Sequence, residues 1–228
     1  MTIKTYLTAE EIKGMIDKAS CLRDKVIISF LADAGTRLSE LLRLKVENLD
    51  LESGLVLIPH LKRGIRKHCP GCGKSAGRNQ AFCVYCGEDL SKVVAEGIQE
   101  RKRVISIGKD TIKLLREYVE ELSPSEVIIQ LSRQRVYYLI RDLAEAVGVS
   151  GKAILNPETG KQHYVHPHSF RDSLAIEWLQ IAGTDVNKQK ALQVHLGHQS
   201  FDTTMRYNKL RPTAVRKVSD EVRKKRFG

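Results

Sequence analysis

Long apolar stretches are absent from this sequence of 228 residues. No segment approaches the roughly 18 consecutive apolar residues that a membrane-spanning helix requires. The first residues, MTIKTYLTAEE, also lack the apolar centre of a secretory signal peptide. We therefore expect a soluble, cytoplasmic protein without a membrane partner. Internal repeats and low-complexity tracts are missing too, which excludes repeat architectures and favours one globular domain with at most a small appendage.

Acidic side chains are in the minority. Lys and Arg number 38 and Asp and Glu number 27, which gives a formal charge of +11. The excess is concentrated in residues 60–103, with ten basic and four acidic side chains, and in residues 208–228, with eight and two. Two basic segments indicate a polyanionic partner such as nucleic acid. Solvated segments that only aid solubility are the alternative, and charge alone does not decide between the two.

Cysteine is scarce outside one cluster. Four of the five cysteines form the pattern C-x2-C-x10-C-x2-C, namely Cys69, Cys72, Cys83 and Cys86, while Cys21 stands alone in an apolar stretch. Without a secretory signal, such spacing indicates metal ligation rather than disulfides. Four thiolates suit tetrahedral Zn²⁺ and leave no open position for water, so the predicted role is structural. Iron in a rubredoxin-like site is the lesser alternative.

Helical periodicity dominates the sequence outside residues 60–102. The tetrapeptide Thr8-Ala-Glu-Glu11 fits a capping box, which places a helix directly after it. Other helix starts are expected at residues whose side-chain oxygen can cap a helix: Thr36, Ser132, Asp185 and either Ser200 or Asp202. The polar residues 149–165 are punctuated by glycine and proline, and they predict a long loop or a weak hairpin.

Two short β-branched runs predict strands, at Leu55–Pro59 and at Arg103–Ile107. They can pair as a hairpin if the segment between them folds as its own unit. We place that unit, which resembles a zinc ribbon, at residues 64–100. The predicted fold class is therefore mainly α with a small antiparallel β-sheet (α+β), and a zinc-ribbon insertion lies in the β-hairpin.

Three short motifs hold more polar side chains than core packing requires. They are Gly35-Thr-Arg37-Leu-Ser-Glu40, His168-Ser-Phe-Arg171, and Leu196-Gly-His198 followed nine residues later by Tyr207. His168 and Arg171 are three residues apart and therefore share one helical face. Each residue has an ordinary structural explanation when taken alone. Arg37 could pair with Glu40, and Tyr207 could be a packing residue.

Taken in order, these motifs resemble the signature of the tyrosine recombinases, the phage integrase and Xer type of site-specific recombinase. The resemblance covers about residues 6 to 215, apart from the insertion at residues 64–100. It implies a catalytic domain over residues 1–228 that acts on double-stranded DNA. The implied reaction cleaves and rejoins strands through a 3′-phosphotyrosyl intermediate, and it needs neither ATP nor a metal ion for its chemistry.

The resemblance also implies a role for each residue of the motifs. Tyr207 is the expected nucleophile, because a phenol leaves more readily than an alkanol and the phosphotyrosyl bond preserves the energy for rejoining. Arg37 and Arg171 are expected to hold the nonbridging phosphate oxygens, since planar guanidinium groups match phosphate geometry. His198 is expected to donate to the same oxygens, and His168 to help remove the tyrosine proton.

The leaving-group acid of the family is a lysine at the tip of the β-hairpin. Lys62 in HLKRG matches that position best, with Lys67 and Lys102 as alternatives. One departure from the family concerns Asp172, because the residue after the second arginine is usually histidine. An acid at this position could lower activity or change how His168 is held.

Family resemblance further suggests other protomers as partners, in a tetramer on DNA joined through the C-terminal segment. It also suggests a prokaryotic or viral origin and a DNA-associated location. Two alternatives use the same fold differently. One is a catalytically weak DNA-binding regulator, for which Asp172 is the hint, and the other is nicking and resealing of the type IB topoisomerase kind.

Overall fold

The computed structural model describes residues 4–59, 66–77, 79–93, 102–156, 159–210, 219–220 and 222–226. The chain divides into two compact units. The larger consists of Met1–Ile58 with Val104–Gly228, and the smaller is Pro59–Arg103. Over the described residues, no helix combines the length and the apolar character that crossing a membrane would require.

The larger unit is mostly helical. Its helices are α1 (Ala9–Lys18), α2 (Leu22–Ala34), α3 (Leu38–Leu41), α4 (Lys109–Val119), α5 (Arg133–Ala146), α6 (Pro167–Ala182), α7 (Val186–Leu196) and α8 (Phe201–Met205), with 3₁₀ helices at Val46–Asn48 and Arg206–Leu210. We call Arg206–Leu210 the tyrosine turn, because it carries Tyr207. The predominance of helix, with small sheets, confirms the predicted fold class.

Side-chain caps explain where several helices begin. Thr8 and Glu11 form the predicted capping box before α1. Ser132 and Asp185 accept backbone N–H groups at the starts of α5 and α7, as predicted. Ser200, rather than Asp202, caps α8. Local hydrogen bonding thus sets these boundaries, because it satisfies N–H groups that have no partner within the helix.

The predicted cap at Thr36 is wrong. Helix α3 begins after Arg37, whose backbone N–H donates to the Glu40 carboxylate at 3.0 Å. Thr36 is only 1 % exposed, and its Oγ1 has no hydrogen-bond partner among the described residues. The Glu40 carboxylate therefore accepts the N–H of the N-cap residue, which is Arg37 rather than Thr36.

Three small sheets accompany the helices. Strands β1 (Leu49–Asp50), β2 (Leu55–Pro59) and β5 (Lys102–Ser106) form one sheet in the order β1-β2-β5. The β1–β2 pair is antiparallel, with Leu49 opposite Val56. β3 (Arg66–His68) and β4 (Ser75–Gly77) form a second antiparallel pair, and β6 (Ile154–Leu155) and β7 (Gln162–His163) a third. The last pair is the weak hairpin considered for residues 149–165.

Helices α2 and α6 form the centre of the larger unit. α2 packs against α1, α4 and α6, while α6 also packs against α7 and the tyrosine turn. Both helices are buried at most positions rather than along one stripe. Consequently the C-terminal end of α2 and the first turns of α6 meet inside the fold, where polar side chains can be shielded from water.

Over residues 66–77 and 79–93, the smaller unit has a very small core. The buried apolar side chains there are Cys69, Ala76, Cys83 and Leu90, with Val93 packed against them. A core of this size contributes little hydrophobic free energy, so another interaction must stabilise the unit.

Candidate functional site

Arg171 lies at the centre of the polar side chains that the motifs predicted. It is only 2 % exposed. Its Nη1 donates to the carbonyl of Gly35 at 2.6 Å, and its Nη2 donates to the carbonyl of Leu196 at 2.7 Å. These carbonyls belong to the C-terminal ends of α2 and α7, which carry partial negative charge. Two helix ends therefore stabilise a buried cation.

Arg37 is held by Glu40. Its Nη1 donates to Glu40 Oε1 at 3.1 Å, and its side chain remains 33 % exposed while that of Glu40 is 1 % exposed. A buried carboxylate with two N–H partners is satisfied, and it fixes the guanidinium at the surface of the pocket. Arg37 is thus the exposed partner of the buried Arg171.

His198 contacts Arg171 and Tyr207. Its Nε2 lies 2.8 Å from Arg171 Nη2, and its Nδ1 lies 2.9 Å from Thr204 Oγ1. A guanidinium can only donate, so Nε2 is the acceptor and the ring proton is on Nδ1, directed at the buried Thr204. In this arrangement His198 orients Arg171, and a hydrogen bond from Nε2 to a phosphate would require that contact to be exchanged.

Tyr207 enters the same pocket from the tyrosine turn. Its ring stacks on His198, with ring centroids 6.0 Å apart and planes 16° apart. It also packs against the apolar cluster of Ala175, Leu179, Leu192 and Leu196. The phenol interacts electrostatically with Arg171 and Asp172. Burial, reinforced by the Asp172 carboxylate, raises the pKa of Tyr207 to about 12, so the phenol is protonated at neutral pH.

Asp172 is the residue of the site whose contact the sequence did not predict. Burial raises the pKa of its carboxyl group to about 6, against the opposing effects of Tyr207 and Arg171. A signal was present in the spacing of α6. Asp172, Ala175 and Leu179 follow at intervals of three and four residues and hence share the helix face that contacts Tyr207. Nothing in the sequence alone indicated that Tyr207 covers that face.

His168 lies in the first turn of α6 and remains exposed. Partial desolvation lowers its pKa, and the positive charges of Arg171 and Arg37 lower it further. The structure therefore brings His168 beside both arginines. We call Arg37, Glu40, His168, Arg171, Asp172, His198 and Tyr207 together the Arg171 cluster.

Two other histidines have structural contacts. His166 is the N-cap residue of α6, and its ring centroid lies 6.3 Å from that of His168. Burial lowers the pKa of His166 to about 4, so it is neutral at physiological pH. His195 is buried, with Nε2 3.0 Å from the Ala34 carbonyl and its ring near Trp178. Neither was predicted to act in chemistry.

The structure describes two of the three candidate lysines. Lys62 lies outside the described residues. Lys67 donates from Nζ to the carbonyl of Leu90 at 2.6 Å and to that of Gln80 at 3.4 Å, inside the smaller unit. Lys102 is an exposed residue at the start of β5. The contacts of Lys67 give it a structural role.

The four clustered cysteines converge as a metal site requires. Their Sγ atoms all lie within 4.8 Å of one another. Cys69 and Cys86 are 3.4 Å apart at sulfur, and Cys72 and Cys83 are 3.5 Å apart. A tetrahedral ion with metal–sulfur bonds of about 2.3 Å places its ligands about 3.8 Å apart. The cluster therefore could bind a metal ion with little rearrangement.

The two cysteine pairs belong to equivalent turns. The N–H of Gly73 donates to the Cys69 carbonyl at 2.8 Å, and the N–H of Gly87 donates to the Cys83 carbonyl at 2.9 Å. Both glycines have positive φ, 68° and 77°, which other residues rarely adopt. Backbone N–H groups point at sulfur in these turns. That of Tyr85 is the main reason that the pKa of Cys83 is lowered to about 6, which favours the thiolate that a metal binds.

Comparison with known proteins agrees with this fold and cluster. The model of the phage integrase family matches residues 5–72 and 83–213. The chain therefore belongs to the phage integrase family, and the resemblance to tyrosine recombinases predicted from its motifs is confirmed.

Individual relatives cover most of the chain. It is 28 % identical over 229 residues to tyrosine recombinase XerA of Thermococcus kodakarensis, which covers 95 % of this chain and 62 % of the relative. A crystal structure of XerA recombinase matches 98 % of the chain and 65 % of its own, with a TM-score of 0.62 and 22 % identity. XerH, in a pre-cleavage complex with difH, matches 91 % of the chain and 51 % of its own, with a TM-score of 0.58 and 19 % identity. The chain thus spans less than two thirds of each of these relatives.

Proposed function

We propose that the protein is a site-specific DNA recombinase or integrase that cleaves and rejoins double-stranded DNA through a 3′-phosphotyrosyl intermediate. One observation carries this proposal. A phenol, two guanidinium groups and an imidazole from distant parts of the sequence converge in one pocket, with Tyr207 stacked on His198 and in reach of Arg171. Membership of the phage integrase family supports the same reaction.

Arg37 and Arg171 bind the scissile phosphate. Arg171 is rigid, because two backbone carbonyls and His198 hold it in place, and this preorganisation means that little reorganisation is needed when charge develops on the phosphate oxygens. Arg37 is exposed enough to meet the substrate and is oriented by Glu40. His198 donates from Nε2 to the phosphate once substrate replaces its contact with Arg171 and Nε2 takes up a proton.

Tyr207 attacks the phosphorus in line with the bond to the departing 5′-oxygen. Its phenol must lose a proton during attack, because it is protonated at neutral pH. The 5′-oxygen must gain one, and Lys62 is the proposed acid by its match to the family position. His168 lies beside both arginines, where its imidazole can contact the bound phosphate or carry a proton.

The smaller unit holds a structural zinc ion through Cys69, Cys72, Cys83 and Cys86. Four thiolates satisfy a tetrahedral ion completely, so the metal stabilises the fold and takes no part in strand cleavage. Because the core of this unit is so small, metal ligation supplies much of its folding free energy. We propose that this inserted finger spans residues 64–100 of a catalytic domain formed by residues 1–228.

Double-stranded DNA and further protomers are the proposed partners. The basic excess of the chain and the DNA-bound state of XerH support DNA as the substrate. By the same family resemblance, four protomers assemble on DNA through their C-terminal segments, in a prokaryotic or viral, DNA-associated, cytoplasmic setting. DNA affinity should fall steeply with salt, because Lys and Arg contacts release counterions from phosphate.

A nicked duplex tests the proposal. Cleavage close to a nick releases a short fragment and traps a covalent protein–DNA adduct. Wild-type protein should form this adduct and Tyr207→Phe should not. If neither forms it on DNA that both bind, the protein is a regulator of the same fold. Exchange between two labelled duplexes then identifies a recombinase, whereas relaxation of supercoils without exchange identifies a topoisomerase.

A further inference from the structure

Asp172 is an acidic side chain on the face of α6 against which the proposed nucleophile packs. We propose that Asp172 accepts the phenolic proton of Tyr207 during strand cleavage and returns it during rejoining. The proposal rests on the proposed strand-transfer function, and it names a catalytic residue that the three motifs did not include.

The packing of α6 places the carboxyl group at the phenol. Ala175 and Leu179, on the same helix face as Asp172, belong to the apolar cluster against which the ring of Tyr207 packs. Asp172 lies one turn closer to the start of the helix on that face, and its carboxyl group and the phenol each shift the pKa of the other. The ring of Tyr207 is therefore packed on the face of α6 that carries Asp172.

The histidines of the Arg171 cluster are less suitable acceptors. His198 uses Nε2 for Arg171 and Nδ1 for Thr204, and it presents the face of its ring to Tyr207. His168 is exposed, and the ionisable groups that act most strongly on it are Arg171, Arg37, Glu40 and Arg133. Asp172 is the better-placed acceptor for the phenolic proton, because it shares the helix face that contacts Tyr207.

The proton and electron pairs balance in both directions. As the bond from Tyr207 Oη to phosphorus forms, the phenolic proton passes to the Asp172 carboxylate. The bond from phosphorus to the 5′-oxygen breaks with its electron pair on oxygen, and that oxygen takes a proton from the leaving-group acid. In rejoining, the 5′-hydroxyl attacks phosphorus and gives its proton back to the leaving-group acid. The bond from phosphorus to Tyr207 Oη breaks, and neutral Asp172 returns its proton to the departing phenolate.

The surroundings give the carboxyl group a useful acidity. The groups that act on its pKa are Arg171 on α6 and Tyr207 on the tyrosine turn. Arg37, Glu40 and His198 act on it through Arg171. With a pKa of about 6, Asp172 is mostly ionised at neutral pH yet a competent acid once protonated.

The test is single-turnover adduct formation on the nicked duplex, as a function of pH. Asp172→Asn should bind DNA normally and form adduct about 10² to 10⁴ times more slowly near neutral pH, the usual contribution of a positioned base. Wild-type rates should rise with pH and level off above about pH 6, while those of Asp172→Asn should keep rising as the phenol itself ionises. Glu177→Gln is the matched control, since it neutralises another carboxylate on α6 outside the Arg171 cluster, and it should cleave like wild type.

Fluorotyrosine at position 207 provides a second measurement that does not depend on a change at Asp172. A more acidic phenol should leave the acidic limb of the wild-type profile in place, because that limb belongs to the carboxyl group. A limb that moves with the phenol would overturn the proposal, as would Asp172→Asn cleaving like wild type at every pH. In either case Tyr207→Phe would still lack adduct and the proposed function would survive. If wild type itself forms no adduct, the proposed function and the proposed role of Asp172 fail together.

Discussion

Replacing Arg171 with alanine should destabilise the larger unit as well as abolish phosphate binding. The guanidinium donates hydrogen bonds to carbonyls at the C-terminal ends of two helices, at Gly35 and Leu196. Each buried acceptor left without a partner costs about 1–3 kcal/mol. Relief of the repulsion between Arg171 and Arg37 offsets part of this loss. We expect a net decrease of about 2–4 kcal/mol in the free energy of unfolding, which in a domain of this size is roughly 5 to 15 °C in Tm.

Denaturant unfolding monitored by circular dichroism measures this effect. Arg116→Ala is the matched control, because Arg116 also donates a hydrogen bond to a backbone carbonyl. That bond goes to Leu51 at 3.0 Å and lies at an exposed site. The control should change stability by less than about 0.5 kcal/mol. An Arg171→Ala protein as stable as wild type would refute the reasoning, since the two helix ends would then not depend on the guanidinium.

Two further predictions concern the metal site and Asp172. Purified protein should contain one zinc ion per chain. Removal of the metal by a chelator should expose residues 66–93 to proteolysis while the larger unit keeps its Tm, because the apolar core of the finger is too small to fold alone. A finger that stays intact without metal would contradict this. The pKa of Asp172 is about 6 in the folded protein, and its usual value is 3.8. Between these pH values the folded protein therefore binds more protons than the unfolded chain. The contribution of Asp172 to the free energy of unfolding falls as pH rises from 4 to 6. Asp172→Asn should therefore gain stability relative to wild type over that window, by on the order of 2 kcal/mol in urea melts, and a pH-independent difference would show that the carboxyl group is not buried as described.

The pocket exists because three helix ends meet. α2 ends at Gly35 in a left-handed conformation, α7 ends at Gly197 in the same way, and α6 begins between them. Glycine at both ends lets the chain turn sharply while leaving the preceding carbonyls to accept hydrogen bonds from Arg171. Arg171 on α6 is thus held between the ends of two other helices, which fixes the position of its guanidinium group.

Local signals in the sequence predicted much of the fold. The caps at Thr8, Ser132 and Asp185 depend on contacts within a few residues, so spacing alone locates them. Thr36 failed as a cap because the helix begins one residue later, where the Glu40 carboxylate accepts the N–H of Arg37, and propensity cannot rank two plausible helix starts. The order of the motifs also indicated which residues converge.

Tertiary contacts account for what the sequence could not predict. Arg171 is held by backbone carbonyls of Gly35 and Leu196, and carbonyls are identical at every position of a sequence. The approach of Tyr207 to Asp172 depends on how the tyrosine turn folds back onto α6, which no local pattern encodes. The proton on Nδ1 of His198 likewise follows from a guanidinium 27 residues earlier in the chain.

The most direct test of the account is to identify the residue that becomes covalently attached to DNA. Protein trapped on a nicked duplex is digested, and the peptide carrying the nucleotide is sequenced by mass spectrometry. We expect the 3′-phosphate on Tyr207, and no adduct with Tyr207→Phe. Attachment to any other residue, or an adduct that persists in Tyr207→Phe, would contradict the central claim that the phenol beside Arg171 is the nucleophile.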